Sequence, residues 1–160
     1  MRKLLFVVFS LLVFGSATMA QRKVDTKWHC PKQSADHKFD VGDVPDHSFM
    51  ILQGTCNATS SDSGFAEKKG DWTEFQEVWK ASMNVHGRFN VTMDNGDKVY
   101  YTYERSAAST DITKPIKGHK WKILSGTGKY KGIKGSGTCS GKFDADAVDW
   151  VCTGTYSMGR

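Results

Sequence analysis

Along most of the chain from Trp28 to Met158, apolar and polar residues alternate in short runs separated by Gly, Asn, Asp and Ser, and apolar residues at helical spacing are almost absent. Successive side chains of an extended chain point to opposite faces, so this alternation specifies strands. Eight runs read this way: residues 28–33, 47–56, 73–81, 83–93, 98–106, 119–125, 134–143 and 148–158. The ambiguous stretch is 72–80, where Trp72, Phe75, Val78 and Trp79 fall on one helical face as readily as along a strand. No run is left for crossover helices, so neighbouring strands must be antiparallel. The expected architecture is all-β, a single antiparallel sheet of about eight strands.

The strands are preceded by "MRKLLFVVFSLLVFGSATMA", in which Arg2 and Lys3 lead into an apolar core and small residues Thr18 and Ala20 close the segment. This is the pattern of a signal peptide over residues 1–20, with a single mature domain over 21–160. Its apolar core is too short to span a bilayer, so no stable membrane anchor is expected, and the protein should be secreted or periplasmic. Loss of Arg2 and Lys3 leaves 20 basic against 17 acidic residues, intermixed along the chain. A nucleic-acid binder gathers its basic residues on one stripe, so nucleic acid is not an expected partner.

All four cysteines, Cys30, Cys56, Cys139 and Cys152, follow the export segment, which predicts two disulfides. The spacing C-x-x-C of a structural zinc site is missing, and no metal is expected. If "FDADAV" turns so that Asp144 pairs with Ala147, Cys139 falls directly opposite Cys152 in a non-hydrogen-bonded pair, close enough for a disulfide. Cys30 and Cys56 are then partners by elimination.

A second hairpin is signalled by "VTMDNGDKVYYTY", where Asn95-Gly96 suits the two positive-φ positions of a type I′ turn. With Asp94 opposite Asp97, one face collects Val85, Phe89, Val91, Met93, Tyr100 and Thr102 and sets Gly87 opposite Glu104. The other face collects His86, Arg88, Asn90 and Thr92 with Val99, Tyr101, Tyr103 and Arg105. The first face is the expected core, and the alternative is that the second forms a polar barrel lumen.

The tract "SGTGKYKGIKGSGTCSGKF", residues 125–143, holds six glycines and four lysines. Phosphate loops need G-x-G-x-x-G or G-x-x-x-x-G-K-[ST] ahead of a helix; here the spacing is G-x-G-x-x-x-G, and a strand follows. Trp121, Ile123, Leu124, Tyr130 and Ile133 exclude a disordered tract. What remains is a tight connection into a strand whose glycines permit barrel bending. "SGTGKYKGIKGSG" resembles the glycine-rich hairpin of the allene oxide cyclase and dirigent barrel families, close to G-G-[ST]-G-x-[FY]-x-G-x-x-G, with Ser125 in place of the first glycine. The whole mature chain, through "WHCPKQS", "VGDVPDHSF" and "TMDNGDK", resembles small secreted bacterial proteins with that calycin-like barrel. With the glycines, the resemblance implies the fold, a single antiparallel β-barrel of about eight strands over residues 21–160; no residues matching the cyclase chemistry are found, so it implies no activity.

The five histidines form no H-x-H or H-E-x-x-H pair, and no G-x-S-x-G elbow is present. His47, at the start of a strand with Phe49 and Ile51 alternating after it, is the histidine best placed to face a cavity. Glu77, between Phe75 and Trp79, is the carboxylate expected to be buried, with Glu104 second. The leading functional expectation is a barrel that holds a small, partly apolar ligand in its lumen, without a cofactor. Its expected lining is Phe49, Ile51, Phe75, Trp79, Phe89, Tyr100, Trp150 and Tyr156. The alternatives are an isomerase or cyclase using Glu77 or Glu104 with Tyr101, Tyr103 or Arg88, and a structural envelope protein.

Overall fold

A computed structural model describes residues 20–108, 111, 113–144 and 146–159. Apart from Ala20, the expected signal peptide lies outside the described residues, as does Ala145 in the last turn. Nine strands are formed among them: β1 (Arg22–Pro31), β2 (Ala35–Asp40), β3 (Ser48–Ser60), β4 (Glu67–Trp79), β5 (Ser82–Met93), β6 (Lys98–Ala107), β7 (Ile116–Gly126), β8 (Lys134–Asp144) and β9 (Ala147–Ser157). The 72–80 stretch is strand up to Trp79, and no α-helix occurs among the described residues.

Each strand pairs antiparallel with its sequence neighbour from β2 to β9, β9 pairs with β1, and β1 returns to β3. Eight strands thus close into a barrel, and β2 rides outside the ring on the first half of β3. Closure removes the free edges an open sheet would expose. The closing seam is short: β1 and β3 share only the pairs Lys27 with Ser60, Trp28 with Ala58 and His29 with Asn57.

Both disulfides form as expected. Cys139 faces Cys152 in the β8–β9 ladder, and Cys30 joins Cys56 beside the seam, with Cα atoms 4.1 and 4.2 Å apart.

The β5–β6 register differs from the expected one by a single residue. Val91 pairs with Val99, Phe89 with Tyr101 and Gly87 with Tyr103. The Met93 amide donates to the Asp97 carbonyl at 2.9 Å, so the loop holds three residues. Gly96 takes φ +85°, whereas Asn95 does not enter positive φ. Asn95 instead uses its side chain, accepting from the Asp97 amide at 3.2 Å and donating to the Asp97 carboxylate at 2.7 Å. Such a three-residue loop ends in one left-handed residue. A one-residue slip exchanges the faces of a whole strand, so Val99, Tyr101, Tyr103 and Arg105 face inward, and Tyr100, Thr102 and Glu104 outward.

The glycine tract closes one end of the barrel. After β7 the chain makes a 3-10 turn over Gly128–Tyr130 and returns as β8. Tyr130 and Ile133 are carried into the interior, each 1% exposed. There Phe65 stacks on Tyr156 at 4.5 Å and meets Tyr130 edge-on at 5.6 Å. Gly128 sits at φ +51°, and a Cβ there would run into the Asp97 carboxylate, which accepts from the Lys129 amide at 3.1 Å. Gly128→Val is therefore expected to destabilise the protein by about 1–3 kcal/mol, whereas a double Lys129→Gln, Lys131→Gln variant, altering exposed charges, should stay within about 0.5 kcal/mol of the parent. Thermal melts compare the two; equal losses would remove the backbone account of the tract.

Candidate functional site

The opposite end of the barrel is open and leads into a cavity of about 820 Å³. Its deep walls carry Val24, Trp28, Trp72, Val85, Phe89, Tyr101, Trp121 and Trp150 together with both disulfides, and Lys32, Lys114, Lys117, Asp111, Phe143 and Asp146 stand at the mouth. An eight-stranded barrel filled by its own side chains leaves no such space. Here the rings lie flat on the wall: Trp72 across Gly54, Phe89 across Gly70, Tyr103 across Gly87, Trp150 across Gly141. At Gly87 a Cβ would collide with the Tyr103 ring, so glycine on one strand gives room to the aromatic ring of the next.

Polar groups gather on one side of this aromatic chamber. Tyr103 donates to Glu74 at 2.9 Å, and Gln76 donates to the other oxygen of the same carboxylate. His119 stacks on Tyr103 at 5.6 Å and tilts against Trp150 at 4.6 Å. Arg105, on the same strand as Tyr103, contacts the Met83 sulfur at 2.7 Å. Burial raises the Glu74 carboxyl above its ordinary range, against the hydrogen bonds from Gln76 and Tyr103 and the nearby Arg105 charge. Burial, and then Arg105, push His119 down to about 3, so the imidazole is neutral. Burial likewise raises the Tyr103 hydroxyl, helped by Glu74.

Deeper in the barrel, Glu67 is fully enclosed. It accepts from Thr26 of β1 and Tyr101 of β6, each at 2.6 Å, and ties three strands together. Burial drives its carboxyl up to about 7, the two hydrogen bonds pulling the other way.

Of the residues expected to line the lumen, Phe89 and Trp150 do so, and Tyr101 and Tyr103 join them. Tyr156 points inward but belongs to the closed end, against Phe65. Phe49, Ile51, Phe75 and Trp79 are corrected to the outer face, where Ile51 and Phe75 are each 42% exposed. The reason is parity: Leu52, Gly54 and Cys56 of β3 and Trp72, Glu74 and Gln76 of β4 point inward, which sends the intervening positions out. Tyr100 faces outward through the register shift, Glu104 is exposed opposite His86, and Arg88 is exposed and donates to Thr102 at 2.6 Å.

Glu77 also lies outside, where it meets His47. His47 stacks on Trp79 at 5.1 Å and contacts Asp43 at 2.6 Å and Glu77 at 3.3 Å. The Asp43 hydrogen bond raises the His47 pKa, opposed by burial. This cluster packs the 41–47 loop onto the barrel wall and does not touch the lumen. No group of His, Cys, Asp and Glu fit to hold a metal forms among the described residues.

The buried carboxylates are thus Glu67 and Glu74. Glu74 lies between Trp72 and Gln76 on the parity opposite Phe75 and Trp79, and the stronger apolar signal of that outer row concealed it.

No family model and no curated protein matches this sequence. Solved structures do match the fold. The pterocarpan synthase dirigent protein GePTS1 superposes with a TM-score of 0.52 at 10% identity, over 96% of this chain and 98% of that one. The pterocarpan synthase dirigent protein PsPTS1 gives 0.52 at 10% identity over 88% and 97%, and a pyocyanin demethylase gives 0.44 at 17% identity over 84% and 99%. The chain has the dirigent-type barrel that its glycine hairpin led us to expect.

Proposed function

We propose that this protein is an exported barrel that binds a small, partly apolar molecule with an aromatic or otherwise flat body in its lumen. The observation that carries the reading is the open cavity of about 820 Å³ walled by aromatic rings, with a few polar groups on one side. That combination of size, apolar lining and sparse convergent polar groups is the usual make-up of a small-molecule site. The fold shared with dirigent proteins supports a ligand-binding barrel, and the two disulfides are at home in the oxidising compartment to which a signal peptide over residues 1–20 would deliver the chain.

Native mass spectrometry of protein purified from its own host is the direct test. The expected spectrum contains a non-covalent adduct on the order of a few hundred daltons, the size class such cavities accept. A bare polypeptide mass, together with unchanged tryptophan fluorescence across a panel of flat aromatic compounds, would remove the proposal.

One arrangement favours a second, catalytic reading as an isomerase or cyclase. Glu74 and Tyr103 are hydrogen-bonded to each other at 2.9 Å in the lumen, and the carboxyl is raised by burial. A carboxyl so placed can hand a proton to a bound molecule and take another back. Turnover abolished by Glu74→Gln with binding retained would select this reading over simple binding.

A further inference from the structure

Arg105 is the charged lumen group whose bonding is least complete. A guanidinium carries five N–H donors in a planar fork, and here one of them reaches the Met83 thioether, a weak acceptor, at 2.7 Å. The buried Nε has no partner among the described residues, and no carboxylate lies within ion-pair distance of the fork. The acid beside it, Glu74, has its two oxygens engaged by Gln76 and Tyr103. His119, its other polar neighbour, is kept neutral. A half-buried cation that faces a cavity, with its neighbouring carboxylate Glu74 engaged by Gln76 and Tyr103 and not in contact with the fork, is an expensive arrangement unless an anion joins it.

The charges at the mouth do not serve this purpose. Lys32, Lys114 and Lys117 exceed Asp111 and Asp146 by one charge, but all three are exposed to water, which screens them, and Lys114 already pairs with Asp111 at 3.5 Å. Selection by charge therefore falls to Arg105, which lies inside. On β6 the inward positions after it are Tyr103 and Tyr101, about 7 and 13 Å deeper at strand rise. An acid group at Arg105 would project its apolar body along Tyr103 and Phe89 toward Tyr101 and Trp121.

We propose that the lumen ligand is an aromatic or polycyclic carboxylate whose acid group is anchored by the Arg105 guanidinium near the mouth, with its rings directed down the aromatic wall. Arginine suits this role because its fork matches the two oxygens of a carboxylate. The inference rests on lumen binding as proposed above.

The test uses 2-naphthoate and 2-naphthamide, which share a ring system and differ in charge, titrated by calorimetry into the full mature protein at pH 7.5. Naphthoate is expected to bind at least about tenfold more tightly than the amide, the effect of one charge-assisted hydrogen-bonded pair. In Arg105→Gln the preference should collapse to near unity while the amide still binds as in the parent. If Arg105→Gln does not fold, Arg105→Met, which keeps the apolar stem against Met83, gives the same reading. Equal binding of both probes to the parent overturns the carboxylate inference and leaves the lumen reading standing. A preference that survives loss of the guanidinium overturns Arg105 as the anchor. Binding of neither probe overturns both readings together.

Discussion

Relative to the parent, a Glu67→Gln variant is expected to gain about 3 kcal/mol of folding stability as pH rises from 4.5 to 7, and a His119→Gln variant to lose about 4 kcal/mol from pH 3 to 6.5. The two slopes are opposite because burial acts on opposite charges. Glu67 holds its proton up to about pH 7 in the folded protein but only to 4.5 when unfolded. Its contribution is complete below 4.5 and fades as pH climbs to 7. His119 refuses a proton until about pH 3 when folded, whereas the unfolded chain takes one up below 6.5. Its contribution is complete above 6.5 and fades as the solution is acidified. Between 4.5 and 6.5 the two offset each other, so the parent's own profile conceals both, and Glu74, also raised by burial, adds to the Glu67 slope. Urea unfolding of parent and variants at closely spaced pH values gives the difference curves. Curves parallel to the parent's would mean that neither side chain is buried as described.

Removing the Cys30–Cys56 disulfide with paired serines is expected to cost about 3.5 kcal/mol, from the loop-closure entropy of a 26-residue separation. The same relation gives about 2.9 kcal/mol for Cys139–Cys152, whose separation is 13. The structural context widens the gap. Cys139 and Cys152 lie inside an unbroken ladder from Lys134 with Ser157 to Asp144 with Ala147, which continues to hold when the bond is gone. Cys30 and Cys56 sit beside a seam of three residue pairs, the closing contact of the ring. Opening it would expose Trp28 and drain the cavity wall. The readouts are the unfolding midpoint and amide exchange at Trp28 and Ala58. Protection there that outlasts loss of the disulfide, or a larger loss for the Cys139–Cys152 variant, would show that the seam holds without its covalent link.

The chamber owes its openness to pairs of residues far apart in sequence. Tyr103 can lie flat because Gly87 stands across from it, and Phe89 because Gly70, diagonal to it on β4, has no Cβ to meet its ring. The lumen keeps its volume while the wall stays aromatic. That is the geometry a flat ligand needs, since ring faces are offered to the space between them.

Alternation, turn chemistry and cysteine positions determined that this chain forms antiparallel strands with two disulfides, because they are local properties, and the glycine tract with its family resemblance added the closure into one barrel. The Cys139–Cys152 pairing could be counted because "FDADAV" turns as expected. The glycine hairpin was legible as well, since the tight return at Gly126, Gly128 and Gly132 leaves few other residue choices. Which face of each strand looks inward was decided by the tertiary structure. On β4 both parities carry aromatic residues, Trp72 on one and Phe75 and Trp79 on the other, so hydrophobicity could not rank them. On β6 the answer depended on whether the loop at Asn95 held two residues or three. The tie of Asp97 to Lys129, 32 positions on, belongs to the three-residue arrangement. The same dependence hid Glu67 and Glu74, whose burial exists only because Thr26, Tyr101 and Tyr103 arrive from other strands to hydrogen-bond them. A strand's face is a one-bit choice that its own residues often leave balanced, and the closing of the ring, through contacts distant in sequence, resolves it.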